Sequence, residues 1–267
     1  GGRRVAGRAG GVDLSEALRD APGAPLPPAQ PFALRKVVFD EDWDLLGFVG
    51  WSPALKAVVV AFRGTDSRSV YNWASNMRTW RTDLALAVRS APPGALVHGG
   101  FFLSYNSSSL AGGVTEAVLE LLDQHPGAPV YATGHSMGGA LATICALDLR
   151  LSHDLPDVRL YTYGSPRVGN AIFQAWVLEV VKEHWRFTHN RDLVPSVPPV
   201  LMGFSHLARE LWMVDYAAPN CTLVGYCDDS GEDVLCHNSV CHLGLCSSIA
   251  DHLVYLSPMF TPHPQGC

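Results

Sequence analysis

Residues 129–139 read PVYATGHSMGG, and this stretch decides the fold. The apolar residues before Gly134 predict a buried strand, and the apolar, Ala-rich residues 138–151 predict a helix directly after it. Between them stands a G-x-S-x-G pentapeptide centred on Ser136. A serine on such a sharp strand-to-helix turn adopts strained backbone angles, and glycines at the flanking positions avoid clashes with neighbouring elements. The turn lifts the hydroxyl clear of the sheet, so we predict that Ser136 is a nucleophile.

An alternative interpretation treats the same pentapeptide as a turn that only joins a strand to a helix. Because both flanks have the expected apolar character, we favour the nucleophile. The N-terminus of the following helix would add partial positive charge near the reacting oxygen. Neighbouring residues of a tight turn point apart, so we predict a structural role for His135.

Strand and helix patterns alternate outward from this turn and predict an α/β fold. Apolar or β-branched runs indicate strands, and runs of helical periodicity indicate helices, the first of which is interrupted at 107–113. We therefore expect a mostly parallel central sheet flanked by helices, in one domain that spans residues 32–267. The predicted strands are 55–63, 129–133, 158–163, 184–188 and 210–215, and the predicted helices are 102–123, 138–151 and 170–183.

Residues 1–31 differ from the rest of the chain in composition. They are rich in Gly, Ala, Pro and Arg and lack hydrophobic periodicity. Such a segment is typical of a disordered leader or the remnant of a pro-segment.

Composition and charge exclude several classes of protein. Hydrophobic residues make up 48% of the chain and charged residues 16%, which allows a sizeable core. The net charge of −6 argues against a nucleic-acid partner, which would need clustered Lys and Arg. The sequence contains no apolar run of the roughly 18 to 20 residues that cross a bilayer, so we predict no transmembrane segment.

The chain has seven cysteines, and six of them crowd into its C-terminal part. Cys145 stands alone in an apolar helical stretch, where we expect a buried free thiol. The late cluster predicts disulfide bonds and an oxidising compartment, although the pairing cannot be deduced. The alternative is a zinc site, since residues 236–246 offer Cys and His ligands, but their spacing does not match the usual paired C-x2-C pattern. The clustered residues are Cys221, Cys227, Cys236, Cys241, Cys246 and Cys267.

Several sequence blocks occur together and in order, and through them the chain resembles the fungal-type, class 3 triacylglycerol lipases. The resemblance runs from about residue 37 to residue 255 and implies an α/β-hydrolase fold. The blocks are VVAFRGTDS (59–67), VHGGFFLSY (97–105), YATGHSMGGALATICALD (131–148), YTYGSPRVGN (161–170), HNRDLVPSVPP (189–199) and the histidine motif that includes Asp251, His252 and Tyr255. The stretch 220–246 departs from the family pattern, being longer and richer in cysteine.

The resemblance implies a Ser-Asp-His triad. An α/β-hydrolase presents its triad in the order nucleophile, acid, histidine, and Asp192 lies in the proline-stiffened loop 189–199. Five histidines follow it, and the residues alone do not choose among them; the match of ADHLVYL to the family's final motif selects His252. From composition alone, Asp192 would be taken for a solvated loop residue. His206 is expected to be structural, whereas His237 and His242 lie in the cysteine-rich stretch.

The resemblance also implies an oxyanion hole and a lid. The oxyanion donors would be the backbone N–H groups of Met137, after the nucleophile, and of Thr65, after the strand in AFRGT. Residues 67–80 would form a short helix that covers the site in water, with an aromatic stripe at i, i+4 and i+7. The alternatives are an ordinary strand-end threonine and a stripe that packs on the core. The lid side chains are Tyr71, Trp73, Met77 and Trp80.

We expect a secreted, monomeric lipase that cleaves carboxylic esters of acylglycerols at a lipid–water interface. The chemistry needs no cofactor, and no divalent-metal motif is present in the sequence. Alternatives that stay open are a phospholipase A1 or feruloyl-type esterase on the same fold, a non-catalytic lipase-fold binding protein and a zinc-bound C-terminal module. Apolar residues near the triad are expected to line the acyl groove, namely Val194, Val197, Leu201, Ile249 and Leu253.

Overall fold

A computed structural model describes residues 31–66, 69–75, 77, 79–88, 90–215, 222–241 and 246–256. The predicted leader therefore lies outside the described residues except for Pro31. The cysteines at 221 and 267 also lie outside them, so the expectation of disulfides there is not addressed.

An eight-stranded sheet, ordered β1-β2-β3-β6-β7-β8-β9-β10, forms the centre of the described chain. The five strands from β3 to β9 are parallel to one another, whereas β1, β2 and β10 pair antiparallel at the edges. A separate two-stranded sheet joins β4 to β5. The strands are β1 (Ala33–Asp40), β2 (Leu45–Ser52), β3 (Ala57–Phe62), β4 (Arg81–Asp83), β5 (Leu96–His98), β6 (Val130–His135), β7 (Val158–Tyr163), β8 (Glu183–His189), β9 (Glu210–Asp215) and β10 (Thr222–Tyr226).

Helices pack on the sheet through apolar faces. The helix after β6 is the most deeply buried: its residues 138–147 are all buried, and Gly138 lies against the backbone of β3 at Phe62. The helices are α1 (Val70–Ser75), α2 (Gly99–Asn106), α3 (Leu110–Gln124), α4 (Met137–Leu151), α5 (Ala171–Val180), α6 (His237–Val240) and α7 (Ile249–His252), with 3₁₀ turns at Leu84–Leu86, Val194–Ser196 and Val200–Met202. No described helix is long and apolar enough to cross a membrane.

The predicted elements around the pentapeptide agree with the structure to within a few residues, and the differences have local causes. The interruption predicted at 107–113 within the helical run 102–123 is present but shorter, since one helix ends at Asn106 and the next begins at Leu110. The third predicted helix stops at Val180 because β8 begins at Glu183 and carries the chain into the sheet. β3 was expected to be buried on both faces, but Val59 and Ala61 are only half-buried.

The nucleophile turn depends on glycines that let three backbones approach closely. A Cβ on Gly134 would lie 2.2 Å from the carbonyl oxygen of Gly138, and a Cβ on Gly138 would lie 2.2 Å from that of Phe62. Ser136 itself has φ 58°, a strained angle for a residue with a side chain. The turn thus stores strain at one residue and keeps its neighbours small.

We predict that Gly134→Ala destabilises the fold by about 3 kcal/mol, because the new methyl group has no space against the backbone of α4. Gly112→Ala is the matched control: it lies in α3, and a Cβ there meets nothing within 4 Å. This control should stabilise the protein by roughly 0.5 to 1 kcal/mol, the ordinary gain for alanine in a helix. Urea unfolding measures both, and equal effects for the two substitutions would contradict the packing described.

Candidate active site

Three side chains predicted from the sequence meet at the carboxyl ends of the parallel strands. Ser136 follows β6, Asp192 lies in the loop after β8, and His252 is the last residue of α7. His252 Nδ1 lies 2.9 Å from Asp192 Oδ2. All three residues have no exposed surface, so the group is completely buried.

Asp192 is held by three donors. Its Oδ1 accepts the backbone N–H of Val194 at 2.8 Å, and its Oδ2 accepts the Tyr255 hydroxyl at 2.5 Å as well as the His252 ring N–H. Burial opposes ionisation, but the charge of His252 and these side-chain hydrogen bonds outweigh it and lower the pKa of the Asp192 carboxyl group below its usual value of 3.8. Asp192 is therefore a fixed, buried carboxylate at neutral pH.

Gly164 provides the space in which this carboxylate and the imidazole meet. It has φ +56°, and a Cβ there would lie 2.8 Å from Asp192 Oδ2 and 3.0 Å from His252 Nδ1. Its backbone N–H also donates to the Phe187 carbonyl, which fixes it between β7 and β8. Any side chain at 164 would displace the acid or the histidine.

His135 stacks on the other side of His252. The ring centroids are 4.3 Å apart, and His135 Nε2 donates to the backbone carbonyl of His252 at 2.7 Å. Burial, and secondarily the charge of His252, lower the pKa of His135 to about 3. His135 is therefore neutral, so it adds no positive charge beside a protonated His252. Its place agrees with the expected structural role.

The atoms between which a proton would pass are Ser136 Oγ and His252 Nε2. Both are buried, and neither has a hydrogen-bond partner within the described part of the chain. In enzymes without substrate, such catalytic hydrogen bonds are often long and tighten only when substrate is bound. The arrangement supplies a hydroxyl, a free imidazole nitrogen and a carboxylate in the order that acyl transfer needs.

The two expected oxyanion residues lie together beside Ser136. Met137 begins α4, and Thr65 Oγ1 lies 3.8 Å from Met137 Sδ. The loop that carries Thr65 passes close to the turn, since a Cβ on Gly64 would lie 3.0 Å from Ser136 Cβ. Both backbones therefore border the space next to the Ser136 hydroxyl.

The predicted lid differs from expectation in its helix. α1 covers only Val70–Ser75, so Met77 and Trp80 do not continue a helical stripe from Trp73. The chain is extended by Trp80 because the Trp80 carbonyl accepts the Gly99 N–H at 3.0 Å and β4 then pairs with β5. The single-helix stripe is therefore wrong.

The four lid side chains have different environments. Trp73 and Met77 are half-buried against the core, and the Trp73 ring lies 6.2 Å from that of Phe101. Tyr71 and Trp80 are 58% and 47% exposed. The Trp80 indole lies over Gly99, where a Cβ would come within 1.9 Å of its Nε1.

The expected acyl-groove residues are also divided. Val194 is fully buried and gives its backbone N–H to Asp192, while Val197, Ile249 and Leu253 are half-buried. Leu201 departs from the expectation. It lies in the 3₁₀ turn Val200–Met202 and is 89% exposed, so it lines no buried groove in this structure.

The cysteine-rich stretch contains two disulfides among the described residues, Cys227–Cys236 and Cys241–Cys246, as expected for an oxidising compartment. Cys145 is a buried free thiol, as predicted. His237, Cys241 and Cys246 bring possible metal-ligand atoms within 4.8 Å of one another, which is the kind of set the zinc alternative required. Because the two sulfurs are bonded to each other, they do not serve as thiolate ligands here.

The contacts that five residues make at or near the site were not identified from the sequence. Tyr255 appears in the histidine motif, but its hydrogen bond to the acid has no local signal. Gly164 stands out only as a glycine after a strand. The Val194 N–H is a backbone donor, and the side chains of His135 and His206 donate to backbone carbonyls. No side-chain pattern in the sequence reveals such contacts. His206 is fully buried and donates to the Pro195 carbonyl at 2.6 Å, as a structural residue would.

Comparison with known proteins places this geometry in a family. The model of the family described as Lipase (class 3) matches residues 59–202, more than half of the chain. The chain belongs to the class 3 lipase family. It is 34% identical over 218 residues to the lipase of Rhizomucor miehei, which covers 80% of this chain and 55% of that protein. It is 33% identical over 223 residues to the secreted mono- and diacylglycerol lipase 1 of Fusarium solani, covering 81% and 61%.

Solved structures of class 3 lipases have the same fold. The triacylglyceride lipase of Rhizomucor miehei superposes with a TM-score of 0.73 at 30% identity, covering 85% of this chain and 81% of that one. The lipase of Rhizopus microsporus var. chinensis gives 0.72 at 34%, covering 85% and 74%. These matches confirm the predicted α/β-hydrolase fold. The chain spans only about half to three-fifths of the length of the curated relatives named above.

We predict that Tyr255→Phe destabilises the protein by about 2 kcal/mol at neutral pH, because a buried carboxylate loses one of its donors. Since the folded-state pKa of Asp192 lies below its unfolded-state value, its contribution is fully present above roughly pH 5 and is lost as the pH falls further, through the folded-state pKa. The difference between wild type and variant should therefore shrink below about pH 4. Urea unfolding across pH measures it.

Tyr105→Phe is the matched control. Tyr105 is also fully buried and donates to a carboxylate, Asp148 Oδ2 at 3.1 Å, but far from the triad. It should cost stability without slowing ester hydrolysis, whereas Tyr255→Phe should slow it. If both tyrosines affected the rate alike, the role of Tyr255 at Asp192 would be refuted.

Proposed function

We propose that the protein is a lipase, a carboxylic ester hydrolase acting on acylglycerols through Ser136, His252 and Asp192. The observation that carries the proposal is the buried array of these three residues at the carboxyl ends of the strands in a class 3 lipase chain. Relatives are named lipase or secreted mono- and diacylglycerol lipase, which supports this substrate class.

In the first half-reaction, His252 Nε2 accepts the Ser136 proton while Oγ attacks the ester carbonyl carbon. The resulting imidazolium is stabilised by the Asp192 carboxylate, 2.9 Å from Nδ1. The negative oxygen of the tetrahedral intermediate would accept the backbone N–H groups of Met137 and Thr65, and α4 directs its positive end to the same place. Collapse expels the alcohol, which takes the proton from His252.

In the second half-reaction, water replaces the alcohol. His252 accepts a proton from water as the water oxygen attacks the acyl-enzyme on Ser136, and a second tetrahedral intermediate forms. Its collapse breaks the bond from the acyl carbon to Ser136 Oγ and releases the fatty acid, while His252 returns the proton to Oγ. The neutral state of His135, which stacks on His252, favours both steps because no second positive ring opposes the imidazolium. No step of this sequence uses a metal or cofactor.

We further propose that residues 67–80 act as a lid. Support comes from the burial of the triad, since a site with no exposed surface must open before an ester reaches Ser136. α1 is a short helix directly after the Thr65 loop, and both Tyr71 within it and Trp80 after it are exposed aromatic side chains. Such side chains suit a lipid–water boundary, which is the proposed location of the substrate.

We propose that the protein is secreted and acts as a monomer. The two disulfides are typical of oxidising compartments, and related lipases are named as secreted. All proposed catalytic groups come from one chain, so the site needs no second subunit.

Two other functions are compatible with the same array. A phospholipase A1 or a feruloyl-type esterase would use the same triad, since the fold does not fix the substrate. A non-catalytic lipase-fold protein is disfavoured, because every residue proposed as nucleophile, base, acid or oxyanion donor is present, with the proposed base hydrogen-bonded to the proposed acid.

Ser136→Ala should abolish hydrolysis of p-nitrophenyl butyrate and of emulsified trioctanoin, with a loss of roughly 10⁵- to 10⁶-fold in kcat. Ser196→Ala is the matched control, because Ser196 is also buried and its hydroxyl also has no partner within the described part of the chain. It should keep wild-type rates. Comparable hydrolysis by Ser136→Ala and wild type would refute the proposed nucleophile.

The same assay separates the substrate classes. A lipase with a lid should show a jump in rate once trioctanoin forms an interface. Hydrolysis of the soluble ester alone would identify an esterase and would remove the lid from the proposal. Faster release of fatty acid from phosphatidylcholine than from trioctanoin would favour the phospholipase.

A further inference from the structure

The segment between β10 and His252 packs against the loop that carries Asp192. We call residues 227–246 the cysteine loop; residues 242–245 of it lie outside the described residues. It contains both disulfides and the short helix α6. It follows the sheet and leads into Ser248 and α7, so it lies between the scaffold and His252 along the chain.

A buried ion pair anchors the cysteine loop to the sheet side of the molecule. The Arg167 guanidinium donates to both carboxylate oxygens of Glu232 at 2.7 Å, and the Arg167 side chain is only 4% exposed. Glu232 also accepts the His206 N–H at 2.8 Å and the Asn238 amide at 2.9 Å. A bidentate pair with every oxygen satisfied fixes both the distance and the orientation of the loop.

From this anchored loop, one side chain reaches the backbone of the proposed catalytic acid. His237 is 2% exposed, and its Nε2 donates to the Asp192 carbonyl oxygen at 2.9 Å. Burial lowers the pKa of His237, so the ring is neutral and carries its proton on Nε2. This bond acts on the main chain of the residue whose carboxylate holds His252.

The second disulfide lies against the same contact. Cys241 Sγ is 3.1 Å from His237 Nε2 and 3.9 Å from the Asp192 carbonyl oxygen. The Cys241 N–H donates to the His237 carbonyl, and the bond to Cys246 closes a loop of sequence separation 5. Two residues after Cys246, the Ser248 carbonyl accepts the Leu193 N–H at 3.3 Å. The disulfide therefore links α6, which carries His237, to the segment in which Ser248 pairs with the backbone next to Asp192.

We propose that His237 is a positioning residue for ester hydrolysis, and that the Cys241–Cys246 disulfide acts by holding His237 on the Asp192 carbonyl. The main chain at 192 sets the direction of its carboxylate, and the 2.9 Å contact with His252 depends on that direction. Small displacements of reacting groups are costly, with about 100-fold in rate for roughly 1 Å. The inference rests on the proposed function, because it assigns a role within that triad.

Two amide substitutions at position 237 distinguish the effect of the hydrogen bond to the Asp192 carbonyl from the effect of filling the buried space. The amide nitrogen of Gln reaches the place of a histidine Nε2, whereas that of Asn reaches only the place of Nδ1. His237→Gln should therefore keep kcat for p-nitrophenyl butyrate within about threefold of wild type. His237→Asn should lower kcat about 10- to 100-fold. The KM of both variants should stay near the wild-type value, since the ester-binding surfaces are untouched.

His184→Leu is the control for loss of a buried histidine. His184 is 1% exposed and also bonds to a backbone carbonyl, that of Val181 at 2.8 Å, but at the opposite end of β8 from Asp192. It should lower the urea midpoint and leave kcat unchanged. If His184→Leu lowered kcat as much as His237→Asn, the effect would be one of general stability and the proposal would be overturned.

The disulfide is tested by a double-mutant cycle. Cys241→Ala with Cys246→Ala should lower kcat about as much as His237→Asn, and the combination should be no slower than either alone. Additive losses, or a full rate without the disulfide, would overturn its proposed action through His237. Equal rates for His237→Asn and wild type would overturn the positioning role. Absence of hydrolysis by wild type itself would instead refute the proposed function, so the two failures are distinguishable.

Discussion

The hydrogen bond from His252 to Asp192 depends on a carboxylate that stays charged although it has no exposed surface. Much of the fold stabilises that buried charge. A buried charge is tolerated only when donors surround it. Here the donors come from the acid loop, from α7 and from the residue three positions after His252. They converge because the parallel strands end at one edge of the sheet, where Gly164 leaves space for the two side chains.

The strained turn at Ser136 is a second constraint on the geometry of the same site. β6 and α4 hold the serine at a positive φ, and the glycines around it allow the backbone of the Thr65 loop to come close. Ser136, the proposed nucleophile, is thus placed by local backbone constraints, whereas Asp192 and His252, the proposed acid and base, are placed by long-range contacts. The cysteine loop adds a further constraint of the second kind, through a side chain that contacts only the main chain of the acid.

The difference between local and long-range constraints explains which site residues could be predicted from the sequence. Ser136 follows from a strand, two glycines and a helix that are adjacent in the chain, so its local pattern is sufficient. Asp192 and His252 are 60 residues apart, and they were selected through the order of the triad and the family resemblance rather than through periodicity. The edge strand β1 was missed because it is largely exposed and lacks a clear apolar alternation. The stripe from Trp73 to Trp80 was wrong because the helix ends at Ser75 and the chain then leads into β4, whose pairing with β5 is a non-local contact without a local sequence signal.

The most direct test of the account is the rate at which a fluorophosphonate labels Ser136 in wild type and in Asp192→Asn, with the labelled peptide identified by mass spectrometry. The account predicts that wild type is labelled at Ser136 and that Asp192→Asn reacts slower by roughly 10⁴-fold, because the neutral amide stabilises neither the imidazolium nor the tautomer that accepts the serine proton. Labelling at another residue, or equal rates for the two proteins, would contradict it.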